Sequence, residues 1–154
     1  MEQIHALRRT IDILILTVDI VIDASREVAL AHTNLQRGKM WLGKVLQALG
    51  TPNPYPNSVD SANSVIDVQT DNPGKTLEDE FTGMGILGDQ VKMVKELRNR
   101  IQMQVDEMKR MEAAGFATVE ADRYWLQSRF AMEEAKMWLG WELDRIRNLP
   151  GAPA

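Results

Sequence analysis

The sequence predicts an all-α protein, with two helix–helix hairpins joined by a long proline-rich linker, and three observations carry that prediction. Apolar residues recur at helical spacing in four long segments. A stretch dense in proline, asparagine and serine divides them into two pairs. A twenty-residue segment occurs twice, without gaps, at a spacing of 97.

The first helix is predicted from the seam Ile4, Leu7, Ile11, Leu14, Val18 and Val21, spaced alternately by three and four. Ile13, Ile15, Ile20 and Ile22 are β-branched and would suit a strand locally, but the length of the pattern favours a helix. A second helix is predicted from about Ser25 to Leu49, with Gly50 closing it and Pro52 soon after. Its core face is Val28, Ala31, Leu35, Leu42, Leu46 and Leu49. Residues 1–50 thus form the first hairpin.

Residues 51–84 read as an extended linker. Pro52, Pro54 and Pro56 lack a backbone donor and restrict their neighbours, so the run around Tyr55 cannot be helical. Val65, Ile66 and Val68 are candidates to pin it to the helices. A third helix is predicted from about Gly85 to Ala114, along Leu87, Val91, Val94, Leu97, Ile101, Val105 and Met108. Gly115 ends it. Thr118 caps a fourth helix that runs to about Asn148, so the second hairpin spans 85–149. Residues 150–154 form a frayed tail.

The repeat aligns Ala24–Gly43 with Ala121–Gly140, and Lys-Met-Trp-Leu-Gly is identical in both. This predicts a duplicated hairpin whose Met-Trp-Leu-Gly block is buried. Each hairpin alone is small for a hydrophobic core and gains from packing on a partner.

The net charge is −4, which disfavours broad DNA binding by phosphate neutralisation. Residues 1–50 carry +1 and the remainder −5, so the first third is the better place for an anion if one binds. There is no cysteine, hence no disulfide and no thiol chemistry. The most apolar stretch, Ile11–Ile22, is too short for a membrane span, and no small-residue cleavage site comes after it. The protein is therefore expected to stay in the compartment where it is made.

On the second helix, Thr33 and Arg37 lie within about 20° of Arg26 around the axis, opposite the core face, with His32 and Gln36 beside them. Guanidinium forks match phosphate oxygens bidentately. The stripe therefore suits a small, multiply charged ligand; the plainer reading is a solvated face that carries two arginines. In the second copy the equivalents are Arg123, Phe130 and Glu134, so the first copy is the expected anion binder and the second is left to assembly or another ligand. Tyr55 is the free aromatic that could stack on a base. Trp41 and Trp138 read as core or interface anchors. Pro73-Gly74-Lys75-Thr76 lacks the upstream glycine of a phosphate-binding loop. With two histidines and no nucleophile–base–acid set, neither a metal site nor catalysis is expected, nor a cofactor.

The run Arg26-x6-Thr33-x-Leu35-x4-Met40-Trp41, with Asn53-Pro54-Tyr55-Pro56-x-Ser58 beyond it, resembles the phage anti-CBASS nucleotide-sponge family. The resemblance covers residues 1–70 directly and 85–148 through the repeat. It implies a small helical protein that assembles as a homo-oligomeric bundle and sequesters a cyclic di- or trinucleotide immune signal without cleaving it. It further implies the cytoplasm of an infected bacterial host, and phosphate or base contact by Arg26 and Thr33. A family member is usually one hairpin; this chain has two, so a trimer of the tandem chain would mimic a hexamer of single hairpins. The alternative is a helical protein–protein interaction module with no nucleotide ligand.

Overall fold

The computed structural model describes residues 2–50, 75–116 and 118–149, and among these every regular element is a helix. The helices are α1 (Glu2–Ile20), α2 (Arg26–Ala48), α3 (Glu78–Met84), α4 (Gln90–Glu112) and α5 (Val119–Arg147).

The predicted seams are the core. Ile4, Leu7, Ile11, Leu14 and Val18 of α1 are buried, as are Val28, Ala31, Leu35, Leu42 and Leu46 of α2. Val94, Leu97, Ile101, Val105 and Met108 of α4 join them. On α5 the fully buried Trp125 packs on Phe116, ring centroids 4.8 Å apart. The boundaries are set by capping. Ser25 Oγ accepts from Val28 N–H, Asp89 Oδ1 from Lys92 N–H, and Thr118 Oγ1 from Ala121 N–H. Gly50 and Gly115 take positive φ after α2 and α4, where a side chain would be strained.

Two expectations need correction. The third long helix begins at Gln90 rather than Gly85, because Gly85 and Gly88 adopt positive φ and Asp89 is the N-cap of α4. Leu87, placed on its seam, is therefore exposed. The stretch expected to be extended up to residue 84 contains α3, whose Phe81 is buried alongside Leu77. Leu77 N–H donates to Thr17 Oγ1 of α1 at 2.9 Å, which seats α3 on the first hairpin. Tyr55, the proline run, and Val65, Ile66 and Val68 lie outside the described residues.

The hairpins share one hydrophobic core. Helix α1 packs on α2 and α4 on α5, but the most extensive contact joins α2 to α5, the two repeat helices. They run antiparallel: Arg26 lies over Trp138, Gly38 carbonyl accepts from Ser128 Oγ at 2.8 Å, and Trp41 stacks on Tyr124. At the crossing a Cβ on Gly38 would stand 2.9 Å from Met132 Sδ, so the glycine permits the close approach. Repeat-equivalent residues thus face each other about a pseudo-two-fold axis. Gly38 meets Ser128, and their equivalents Ala135 and Ala31 are both fully buried.

The repeated block plays a different part from the expected one. Trp41 and Trp138 are half-buried and Met137 is exposed, while Lys39 is fully buried with Nζ 3.0 Å from Asp12 Oδ1 of α1. Its equivalent Lys136 is half-buried and donates to Gln102 of α4. In both copies the lysine reaches the other helix of its own hairpin. A buried carboxylate, Glu142, ties the far end together. It accepts from Ser25 Oγ and from Arg145, while Gln90 reaches both Glu142 and the backbone of Asp23. Burial by itself raises the Glu142 pKa, but the bonds from Arg145, Ser25 and Gln90 together hold it below its ordinary value.

Candidate functional site

Arg26, Thr33 and Arg37 lie on the face of α2 opposite its buried one. They do not share one pocket. Arg26 and Arg37 are separated by about 16 Å of helix rise. The Arg26 guanidinium lies 5.7 Å from the Trp138 ring centroid. Thr33 Oγ1 donates to the carbonyl of Ala29, leaving its lone pairs for a ligand. Gln36 is on the flank of the stripe. His32 is half-buried beside it; burial pushes its imidazole below the ordinary value, although Asp19 pulls the other way.

Among the expected residues that the structure describes, Arg37 lines a cleft. The space, about 290 Å3, lies between α2 and α5 and is lined by Arg37, Asn34 and Trp41 on one side and by Phe130, Gln127 and Glu134 on the other. Asn34 is 4% exposed. Its Nδ2 donates to the carbonyl of Leu30, which fixes the amide's orientation. Its Oδ1 then faces the interior with no hydrogen-bond partner among the described residues. A buried acceptor without a donor costs on the order of 1–3 kcal/mol. Trp41 is held by its stack on Tyr124, centroids 5.6 Å apart, and Arg123 lies over the other ring of that stack.

The cleft sits on the pseudo-two-fold axis. Arg37 and Glu134 are repeat-equivalent, as are Asn34 and Ala131, and all four line it. A symmetric pair of hairpins would place two arginines here. This chain places one arginine and one carboxylate, so one side suits an anion and the other accepts N–H groups. Sequence reasoning found Arg37 by its stripe. It missed Asn34, which looked like a polar residue beside the core seam, and the part played by Glu134, which depends on the antiparallel pairing.

A roomier cleft, about 700 Å3, lies between α1 and α4. Its Arg100 and Arg110 are already engaged by Glu80, Glu96 and Glu107, so both arginines are paired. Among the described residues no three histidine or carboxylate side chains gather where they could hold a metal ion, and no helix is long and apolar enough to cross a membrane. No protein-family model, curated protein or solved structure matches the chain.

Proposed function

We propose that this chain is a phage-encoded sponge that binds a cyclic di- or trinucleotide immune signal and holds it uncleaved in the cytoplasm of the infected host, blunting anti-phage defence. The observation that carries this reading is the α2/α5 cleft, where Arg37, Trp41, Phe130 and Glu134 line one space. Arg37 takes a phosphate, the two aromatic rings flank a base, and the two oxygens of Glu134 accept from the base's amino and imino groups. Two N–H donors on one edge describe guanine. Because the two halves of the cleft differ, a ligand with different groups on its two sides fits better than a symmetric one. The residues carried over by resemblance, Arg26 and Thr33, lie further along the same helix face and would contact the distal part of the ligand.

At about 290 Å3 the cleft is at the small end of ligand sites, so a second subunit is needed to cover a whole cyclic nucleotide. Helix α5 carries a stripe suited to that second copy: Phe130 is 47% exposed and Met137 46%. In an antiparallel pairing about the midpoint of residues 133 and 134, Phe130 meets Met137 and Arg123 meets Asp144. Such a two-fold contact belongs in a dihedral hexamer and not in a cyclic trimer. The same exposed stripe favours the second reading, an interaction module docking another protein.

Titration calorimetry against cyclic di- and trinucleotides, with symmetric and mixed bases, tests the proposal. Binding of a guanine-containing mixed-base member, recovered intact by mass analysis, supports it. Absence of binding to every member, or recovery of a cleaved product, ends it. Light scattering of the full chain separates the two readings. A hexamer supports the sponge assembly, and a monomer favours the interaction module.

A further inference from the structure

The charged side chains are unevenly satisfied. Arg9, Arg100, Arg110, Arg129 and Arg145 each meet at least one carboxylate. Lys95, Arg98 and Arg147 meet none among the described residues, yet all three line a single cleft of about 600 Å3 between α4 and α5. Trp141, 54% exposed, lines it too, with Asp144 as its one carboxylate. Three cations against one acid is a local excess of positive charge on a region whose sequence is net acidic. Three cations without ion pairs around one cleft set up a local positive potential that favours an anion there.

One of these cations is held in place. Arg98 Nε donates to the carbonyl of Lys136 at 3.3 Å. Its guanidinium lies on the α5 backbone at Gly140, where a Cβ would come within 3.4 Å of NH2. A side chain larger than a methyl at position 140 would crowd the planar group. The remaining N–H groups of the fork are left for an anion, at little further entropy cost.

We infer that the α4/α5 cleft is a second binding site, separate from the α2/α5 cleft, that takes a nucleoside phosphate: Lys95, Arg98 and Arg147 hold the phosphates and Trp141 stacks on the base. Aromatic stacking contributes independently of base identity, so this site selects for phosphate plus a planar ring and not for sequence. It does not rest on the reading of the α2/α5 cleft, since the two share no lining residue.

The test is calorimetric titration of the full-length protein with ADP and, separately, with pyrophosphate. ADP should bind at least about tenfold tighter than pyrophosphate, and both should weaken as salt rises. Trp141→Leu should remove the preference for ADP while leaving pyrophosphate binding in place. Arg98→Ala should weaken both ligands tenfold or more, and Gly140→Val should do likewise by displacing the guanidinium. Lys95→Ala, at an exposed position with no ion pair to lose, supplies a variant that folds regardless; circular dichroism checks the rest. Arg37→Ala should leave ADP binding at wild-type strength. The inference is overturned if neither ligand binds, if Arg98→Ala and Lys95→Ala bind like wild type, or if Arg37→Ala abolishes binding. Equal affinity for ADP and pyrophosphate would overturn the stacking role of Trp141 and with it the nucleoside assignment.

Discussion

Helices α2 and α5 are two copies of one sequence pattern, and they have kept their packing while changing their outward faces. Both carry Lys-Met-Trp-Leu-Gly, both send the lysine to the other helix of the hairpin, and both contribute small residues to their mutual crossing. Outside that frame, Thr33 corresponds to Phe130 and Arg37 to Glu134. Because the copies pack antiparallel, Arg37, Phe130 and Glu134 meet in the same cleft. The repeat thus yields two unlike halves of one cleft on a nearly symmetric scaffold.

The frame can be broken most severely at the lysines. Lys39 and Asp12 are fully buried, and removing one partner of a buried pair costs about 3–5 kcal/mol. Thermal or urea unfolding of Lys39→Met should show a loss of that size. Lys136→Met, at the equivalent but half-buried position, should cost no more than about 1 kcal/mol. Equal losses at the two positions would mean that the copies are energetically alike.

The crossing comes next. Gly38→Leu forces a side chain against Met132 and should destabilise the bundle by about 1–3 kcal/mol in the same assay. A smaller effect is expected at the caps. Thr118→Ala should cost about 1 kcal/mol, and Ser25→Ala somewhat more, because Ser25 also donates to Glu142. That contact has a pH signature. The Glu142 carboxyl titrates below its ordinary value of 4.5 in the fold, so its contribution is complete above that value and is lost as pH falls further. As pH falls through and below that value, wild type should lose more stability than Glu142→Gln does.

Much of the architecture was legible because helical period and caps are local. The seam of α1, the core face of α2, the Thr118 cap and the stops at Gly50 and Gly115 were all readable from spacing and residue type. Helix α3 was not, because its seven residues carry one core aromatic, Phe81, among acidic and small neighbours. The burial of Lys39 was not legible either, since a lysine inside an apolar block reads as a solvated residue until Asp12 is seen opposite it. The clefts were the least legible. Arg37 could be found on a stripe, but Glu134 joins it only through the α2/α5 pairing. Lys95 and Arg98 meet Trp141 and Arg147 across more than forty residues of sequence.

The asymmetric α2/α5 cleft is best tested by titrating one mixed-base, guanine-containing cyclic dinucleotide into wild type, Arg37→Ala and Glu134→Ala. Saturable binding that weakens about ten- to a hundredfold in Arg37→Ala, with Glu134→Ala losing the preference for guanine, is the predicted result. Binding that both variants retain unchanged, or no binding by wild type, would contradict it.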